Sequence, residues 1–273
     1  MYERHWGLAQ PPFSGELDPA RYYGNPMQDE VLARLQFLVD HRRRLGLLIG
    51  EPGTGKTMLL SVLADRLASE NRPCVRLNLT AVGPGELPWL LAAALGLNPG
   101  ENDLPVRLWR MIADRVAENR YQQIGTTFLL DDADQAQPAL MGSLLRLAQC
   151  DQSPTARMTL VLAAEPAGVL QLGSRLLALA ELRIELEPWD EATTAGYLSA
   201  ALAHGGGSGQ IFEPRAAQRI QHLCDGIPRR INHLADLALV AGAGREQSRI
   251  DANTVDAVYD ELVGTSTVED AAV

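Results

Sequence analysis

Gly50-Glu51-Pro52-Gly53-Thr54-Gly55-Lys56-Thr57, with Met58 behind it, fits the pattern G-x-x-x-x-G-K-[ST]. Glycines at these positions let successive backbone N–H groups turn toward a phosphate, and a helix N-terminus behind them adds its positive dipole end. In such a cradle Lys56 reaches the β- and γ-phosphates of a nucleoside triphosphate, and the Thr57 hydroxyl enters the shell of Mg2+. Lys56 is the sole lysine among 24 basic residues; every other one is arginine. A compact ammonium on a slim stem suits a tight backbone cradle, where a planar guanidinium fork fits poorly.

A second run, Phe128-Leu129-Leu130-Asp131-Asp132, sets two carboxylates at the end of an apolar segment. In a parallel α/β sheet, ligands bind outside the carboxyl ends of the strands. Asp131 there holds Mg2+ directly or through water, and Asp132 polarises an attacking water. Cradle and carboxylates together predict hydrolysis of a bound triphosphate, not binding alone.

Both motifs need strands to aim them and helices to cover them. Leu45 to Ile49 forms an apolar strand before the cradle, and Met58 to Ala68 a helix after it. Further strands are expected at Cys74–Leu79, Thr126–Leu130, Met158–Ala163 and Leu182–Leu186. Helical spacing separates them, at about 86–95, 104–119 and 138–148, with one more helix running to about Ala180. The strands are continuously apolar, the pattern of a parallel sheet buried on both faces. After Pro188 the strand signals stop and helical runs at about 190–203, 213–224, 228–243 and 251–263 remain. The expected architecture is an α/β P-loop NTPase with a five-stranded parallel sheet, followed by a small α-helical lid. The expected boundaries are 31–188 for the nucleotide-binding domain, 189–263 for the lid and 264–273 for a flexible tail. Residues 1–30, rich in aromatics and prolines, are expected to pack along the nucleotide domain, with Tyr22 or Tyr23 near the base.

Composition narrows the function classes. The net charge of −10 and a pI near 5.0 argue against a broadly basic nucleic-acid surface, though Arg42–Arg44 and Arg229–Arg230 allow local patches. Cys74, Cys150 and Cys224 are dispersed without a C-x-x-C pair, which favours reduced thiols over a disulfide framework or a metal site. The sequence shows neither the apolar core of a signal peptide nor a run long enough for a membrane helix, so a cytoplasmic location is expected.

Four segments together resemble the AAA+ ATPases of the ExeA/general secretion pathway protein A type. Asp131-Asp132-Ala133-Asp134-Gln135 is similar to that family's D-E-A-Q segment, and the P-loop accompanies it. The opening, Met1-Tyr2, Trp6-Gly7-Leu8, Pro12-Phe13 and Asp18-Pro19, resembles M-Y-x-x-x-F-G-L-x-x-x-P-F followed by D-P. Gly226-Ile227-Pro228-Arg229-Arg230-Ile231-Asn232 resembles G-I-P-R-x-I-N, so the resemblance runs from residue 1 to about 263.

The resemblance implies roles that spacing alone does not supply. Arg229 matches the sensor 2 arginine, which contacts the γ-phosphate of ATP and couples it to lid angle. Arg175 falls where such proteins carry an arginine finger for a neighbouring subunit, with Arg183 a weaker candidate. Leu162-Ala163-Ala164-Glu165-Pro166 resembles the G-Q-P segment and places Glu165 at the polar sensor 1 position. Asp132 stands where the family has glutamate, one methylene longer. The implied protein hydrolyses Mg-ATP as a homo-oligomer, ring or filament, and remodels a protein client or a membrane-associated partner subunit. Relatives serve secretion, pilus assembly or transposition, so DNA association stays open. So does a nucleotide-dependent switch with little turnover.

Overall fold

The computed structural model describes residues 2–207 and 210–269. Its elements begin with α1 (Tyr2–Trp6), α2 (Pro26–Asp40), β1 (Leu45–Gly50), α3 (Lys56–Ser69) and β2 (Cys74–Asn78). There follow α4 (Leu87–Ala94), α5 (Pro105–Tyr121), β3 (Thr126–Asp131), α6 (Met141–Ala148), β4 (Met158–Ala164), α7 (Ser174–Leu177) and β5 (Leu182–Leu186). Four helices complete the chain: α8 (Glu191–His204), α9 (Pro214–Leu223), α10 (Pro228–Gly244) and α11 (Ala252–Glu269). By their contacts the residues form two compact units. The α/β unit comprises Pro19–Glu51 and Lys56–Leu186. The helical unit comprises the residues up to Asp18, the loop tip Pro52–Gly55, and the chain from Glu187 onward.

All five strands of the α/β unit are parallel, in the order β2-β3-β4-β1-β5. Successive side chains of a strand face opposite sides, so a sheet covered on both sides favours apolar residues on both. β1, β3 and β4 are buried along their whole length, and all their residues are apolar but Thr126, Thr127, Asp131 and Thr159. On one side Leu47, Phe128, Leu130 and Leu162 pack with α4, α5 and α6; on the other Leu48, Leu129, Val161 and Ile184 pack with α2 and α3. The register pairs Asn78 with Asp131 and Ile49 with Ala164, which brings the carboxyl ends of β1, β2, β3 and β4 to one edge. Burial pushes the thiols of Cys74 and Cys224 up to about 12, so both stay protonated and inert at neutral pH.

Three expectations need correction. The helix expected to reach Ala180 is a 3-10 turn at Val169–Leu172 and the single turn α7, because Gly173 between them takes φ +79° and ends the first. The last helix does not stop near 263 but continues to Glu269, and the remainder of the expected tail, 270–273, lies outside the described residues.

The N-terminal stretch also divides where a single packing surface was expected. Residues up to Asp18 belong to the helical unit, and only those from Pro19 belong to the α/β unit. The aromatic side chains explain this. Trp6 Nε1 donates to Leu239 O in α10 at 2.9 Å, and Tyr2 donates its hydroxyl proton to Asp236. Phe13 packs its ring 6.2 Å from Tyr197 and 6.1 Å from Phe212, and Ala9 N–H donates to Gly205 O at 2.7 Å. An indole that is both buried and hydrogen-bonded carries a large share of such packing. Trp6→Ala is expected to destabilise the helical unit by about 3 kcal/mol. Thermal unfolding of the variant against wild type measures it.

Candidate functional site

The P-loop forms as the sequence predicts. β1 delivers the chain to Gly50, and α3 begins at Lys56. Between them Gly53 and Gly55 take φ values of +84° and +107°, which side chains with a Cβ rarely adopt. Lys56 is only 6% exposed. Its Nζ donates to the carbonyl oxygens of Gly50 at 2.7 Å and Glu51 at 3.3 Å, so the loop's own backbone holds the ammonium over the cradle. Thr54 is buried inside the loop, Glu51 and Pro52 are exposed, and Met58 packs along α3 against the core.

Asp131 ends β3 and is 3% exposed. Thr57 Oγ1 donates to its Oδ2 at 2.6 Å, and Asp132 N–H donates to its Oδ1 at 3.1 Å. Burial raises the Asp131 pKa. The Thr57 hydrogen bond and the Lys56 charge oppose this, and the Asp132 charge adds to it. These residues fit magnesium bound with a triphosphate. The donors are hard oxygens, Asp131 is a desolvated carboxylate that a cation would relieve, and Mg2+ needs only one or two protein ligands beside phosphate. A protein cage is not what holds it, since no group of three His, Cys, Asp or Glu arranged for a metal occurs among the described residues.

Asp132 leaves the strand in the left-handed region, φ +49°. The turn sets its carboxylate beside β2, where Asn78 Nδ2 donates to Oδ2 at 2.7 Å. Asn78 was missed in the sequence. Its only signal is a polar residue closing an apolar strand, and its relevance depends on β2 lying beside β3. Glu165 follows β4 directly and is half-buried, one position past the Ile49–Ala164 pair and therefore beside the start of the P-loop. Lys56, Thr57, Asp131, Asp132 and Glu165 thus share one edge of the sheet.

The three arginines lie on other elements. Arg175 is exposed on α7, and Arg183 is exposed on β5. Arg229, exposed at the second position of α10, donates its backbone N–H to Gly53 O at 3.2 Å. A Cβ on Gly53 would lie 2.8 Å from Arg229 Cβ, so this glycine is needed for close approach as well as for its φ.

A parallel sheet in this order, a P-loop on β1 and a paired carboxylate on β3 define a P-loop NTPase of the AAA+ fold. Residues 39–172 match the AAA domain family. The chain is 29% identical over 255 residues to general secretion pathway protein A of Aeromonas hydrophila, covering 92% of this chain and 46% of that protein. The chain therefore spans about half the length of this curated relative. Among solved structures it is similar to a Walker-type ATPase of Pyrococcus abyssi, with TM-score 0.68 and 16% identity over 94% of this chain and 79% of that one. It is also similar to the ORC1 protein of Aeropyrum pernix solved in complex with DNA, with TM-score 0.63 and 17% identity over 92% and 68%. The RuvB branch migration motor of Thermotoga maritima follows, with TM-score 0.57 and 19% identity over 86% and 69%. These structural likenesses establish the fold. The resemblance drawn from the four sequence segments is borne out: the chain carries an AAA domain match at 39–172 and is similar to general secretion pathway protein A along 92% of its length.

The Thr57–Asp131 bond makes a stability prediction that needs no ligand. Thr57→Val keeps the shape but leaves a buried carboxylate short of one donor. Unfolding in denaturant at neutral pH is expected to show a loss of about 1–3 kcal/mol.

Proposed function

We propose that the chain binds Mg-ATP at Gly50–Met58 and hydrolyses it, using the cycle to remodel an oligomer of itself or a partner protein. The observation that carries this is the bond from Thr57 to Asp131, which joins the phosphate loop to the carboxylate strand in metal-ready geometry. Lys56 would leave its two carbonyls for phosphate oxygens, and Thr57 and Asp131 would hold the magnesium. The ion would supply charge neutralisation on the phosphates. Asp132 would orient the attacking water and accept its proton, once Asn78 yields or shares its hydrogen bond. Glu165 and Arg229 would respond to the γ-phosphate, and Arg175 would act on a neighbouring subunit's nucleotide. An arginine supplied in trans is worth about 10³ to 10⁵ in rate in other P-loop enzymes.

The output would be movement of the helical lid, read by a ring or filament of identical subunits and by a protein client. The similarity to general secretion pathway protein A supports a client in secretion; a pilus-assembly client, a membrane-associated partner and a cytoplasmic location are the readings proposed from the sequence segments. No helix among the described residues is long and apolar enough to cross a membrane. A DNA-associated role, as in transposition, has less support because the chain carries a net charge of −10. A second reading, a nucleotide switch with little turnover, is favoured by one observation. The water-facing carboxylate of Asp132 is already engaged by Asn78 at 2.7 Å.

Steady-state phosphate release by wild type against Lys56→Ala separates these readings. The enzyme reading expects Lys56→Ala to fall to background; equal rates would leave only the switch. Mixing Arg175→Ala with Lys56→Ala subunits tests the finger. Activity recovered at intermediate ratios is expected, because an intact arginine then faces an intact P-loop, and no recovery at any ratio would remove Arg175 from that role.

A further inference from the structure

None of the roles proposed so far uses Asp134, yet it is 4% exposed and stands between the two strand ends that carry the polar site residues. Its Oδ1 accepts from the backbone N–H of Glu165 at 3.2 Å, and its Oδ2 accepts from Gln135 Nε2 at 3.1 Å. Both partners are amides, not cations, and a buried carboxylate is costly unless such bonds are made. It sits in the 3-10 turn Ala133–Gln135, which starts from Asp132 and is locked by Ala133, 0% exposed. On the facing side Gly168 N–H donates to Glu165 O at 3.0 Å and closes the turn 165–168. A Cβ on Gly168 would stand 2.4 Å from Asp134 Cβ and 2.5 Å from its Oδ2. The carboxylate therefore reaches the Glu165 amide only because residue 168 has no side chain.

We propose that Asp134 is a positioning residue for the hydrolytic site, a clamp that holds the turn after β4 against the segment after β3. Through it Asp132 and Glu165 keep one separation, although their strands end in independent loops. A displacement of Asp132 carries the Ala133–Gln135 turn with it, and the hydrogen bond to Glu165 N–H transmits that displacement to residues 165–168. The chain then leads through Val169–Leu172 to α7, which carries Arg175. The inference rests on the hydrolysis proposed above, and small errors in the placement of reacting groups are what such a clamp prevents.

Three measurements test it: steady-state phosphate release, affinity for a fluorescent ATP analogue, and hydrogen exchange at the Glu165 amide. Asp134→Ala is expected to lower kcat about tenfold, as misplacement of a reacting group does. KM and analogue affinity are expected to stay within about twofold, because Lys56, Thr57 and Asp131 are untouched. Exchange at Glu165 should rise in the same variant. Asp134→Asn keeps an oxygen for that N–H and should restore both kcat and protection. Gly168→Ala should slow kcat to a similar degree, and the double variant Asp134→Ala/Gly168→Ala should be no slower than the worse single, since both break one contact. Unchanged exchange in Asp134→Ala would overturn the clamp, as would a joint loss of affinity and kcat that Asp134→Asn fails to rescue. Should Asp134→Ala not fold, the pair Asp134→Asn and Gly168→Ala decides. Wild-type behaviour of the first with a slow second supports the clamp, and equal behaviour of the two overturns it. If wild type and Lys56→Ala released phosphate equally, the hydrolysis reading would fall, while exchange at Glu165 would still judge the contact itself.

Discussion

The hydrogen bond from Thr57 to Asp131 is the constraint on which the rest of the α/β unit depends. One end belongs to α3, which follows β1, and the other to β3, and β4 lies between β1 and β3. Thr57 reaches Asp131 at 2.6 Å across the end of β4, which closes on Ala163 and Ala164, both buried and small, with Ala164 level with Ile49. The sheet order and register therefore set where this short bond between two oxygens can form.

The same edge of the sheet is satisfied from within. Lys56 lies on the carbonyls of Gly50 and Glu51, Thr57 on Asp131, and Asp132 on Asn78. Lys56, Thr57 and Asp132 each have a protein partner of their own, which keeps these polar atoms from standing unpaired. The arrangement is preorganised but not inert. Burial raises the Asp131 pKa and the Thr57 hydroxyl donor works against that rise, so a cation bound there would relieve the buried charge.

Much of this was legible in the sequence. Gly50–Thr57 announces itself because phosphate geometry demands those residue types at that spacing, and the apolar run before Asp131 marks a buried strand. The five strands are readable because both faces of a parallel sheet are covered. What stayed hidden depends on which strands are neighbours. Asn78 looks like an ordinary strand end until β2 is seen beside β3. Asp134 looks like one more acidic residue in an acidic run until Gly168 is seen to make room for it. The aromatics Trp6 and Phe13 were clearly packing residues, but composition does not say on what, and their partners Leu239, Tyr197 and Phe212 lie far away in sequence. At Gly173 the signal was present. Gly173 sits in a leucine- and alanine-rich context that favours helix on both sides, and only its positive φ breaks the run.

The charge arrangement at the sheet edge explains why so many other groups matter. Asp131, Asp132, Asp134 and Glu165 follow the ends of two adjacent strands, and Lys56 is the cation that faces them from the P-loop. A bare triphosphate held by the loop N–H groups and one ammonium would have the carboxylates of Asp131, Asp132 and Glu165 on the same edge, and at close range in a partly buried site like charges repel strongly. Under the proposed function, positive charge has to arrive with the substrate as magnesium and from arginines outside this edge. Arg175 and Arg229 are exposed and available for that, each on an element that does not belong to the cluster itself. On that reading, a site deficient in its own positive charge would make turnover conditional on metal, on lid and on neighbour together. The one-methylene shortening at Asp132 acts in the same direction, because a shorter carboxylate held by Asn78 has less reach toward water. Conditional turnover is the property a remodelling ATPase requires, since hydrolysis without a partner would perform no work.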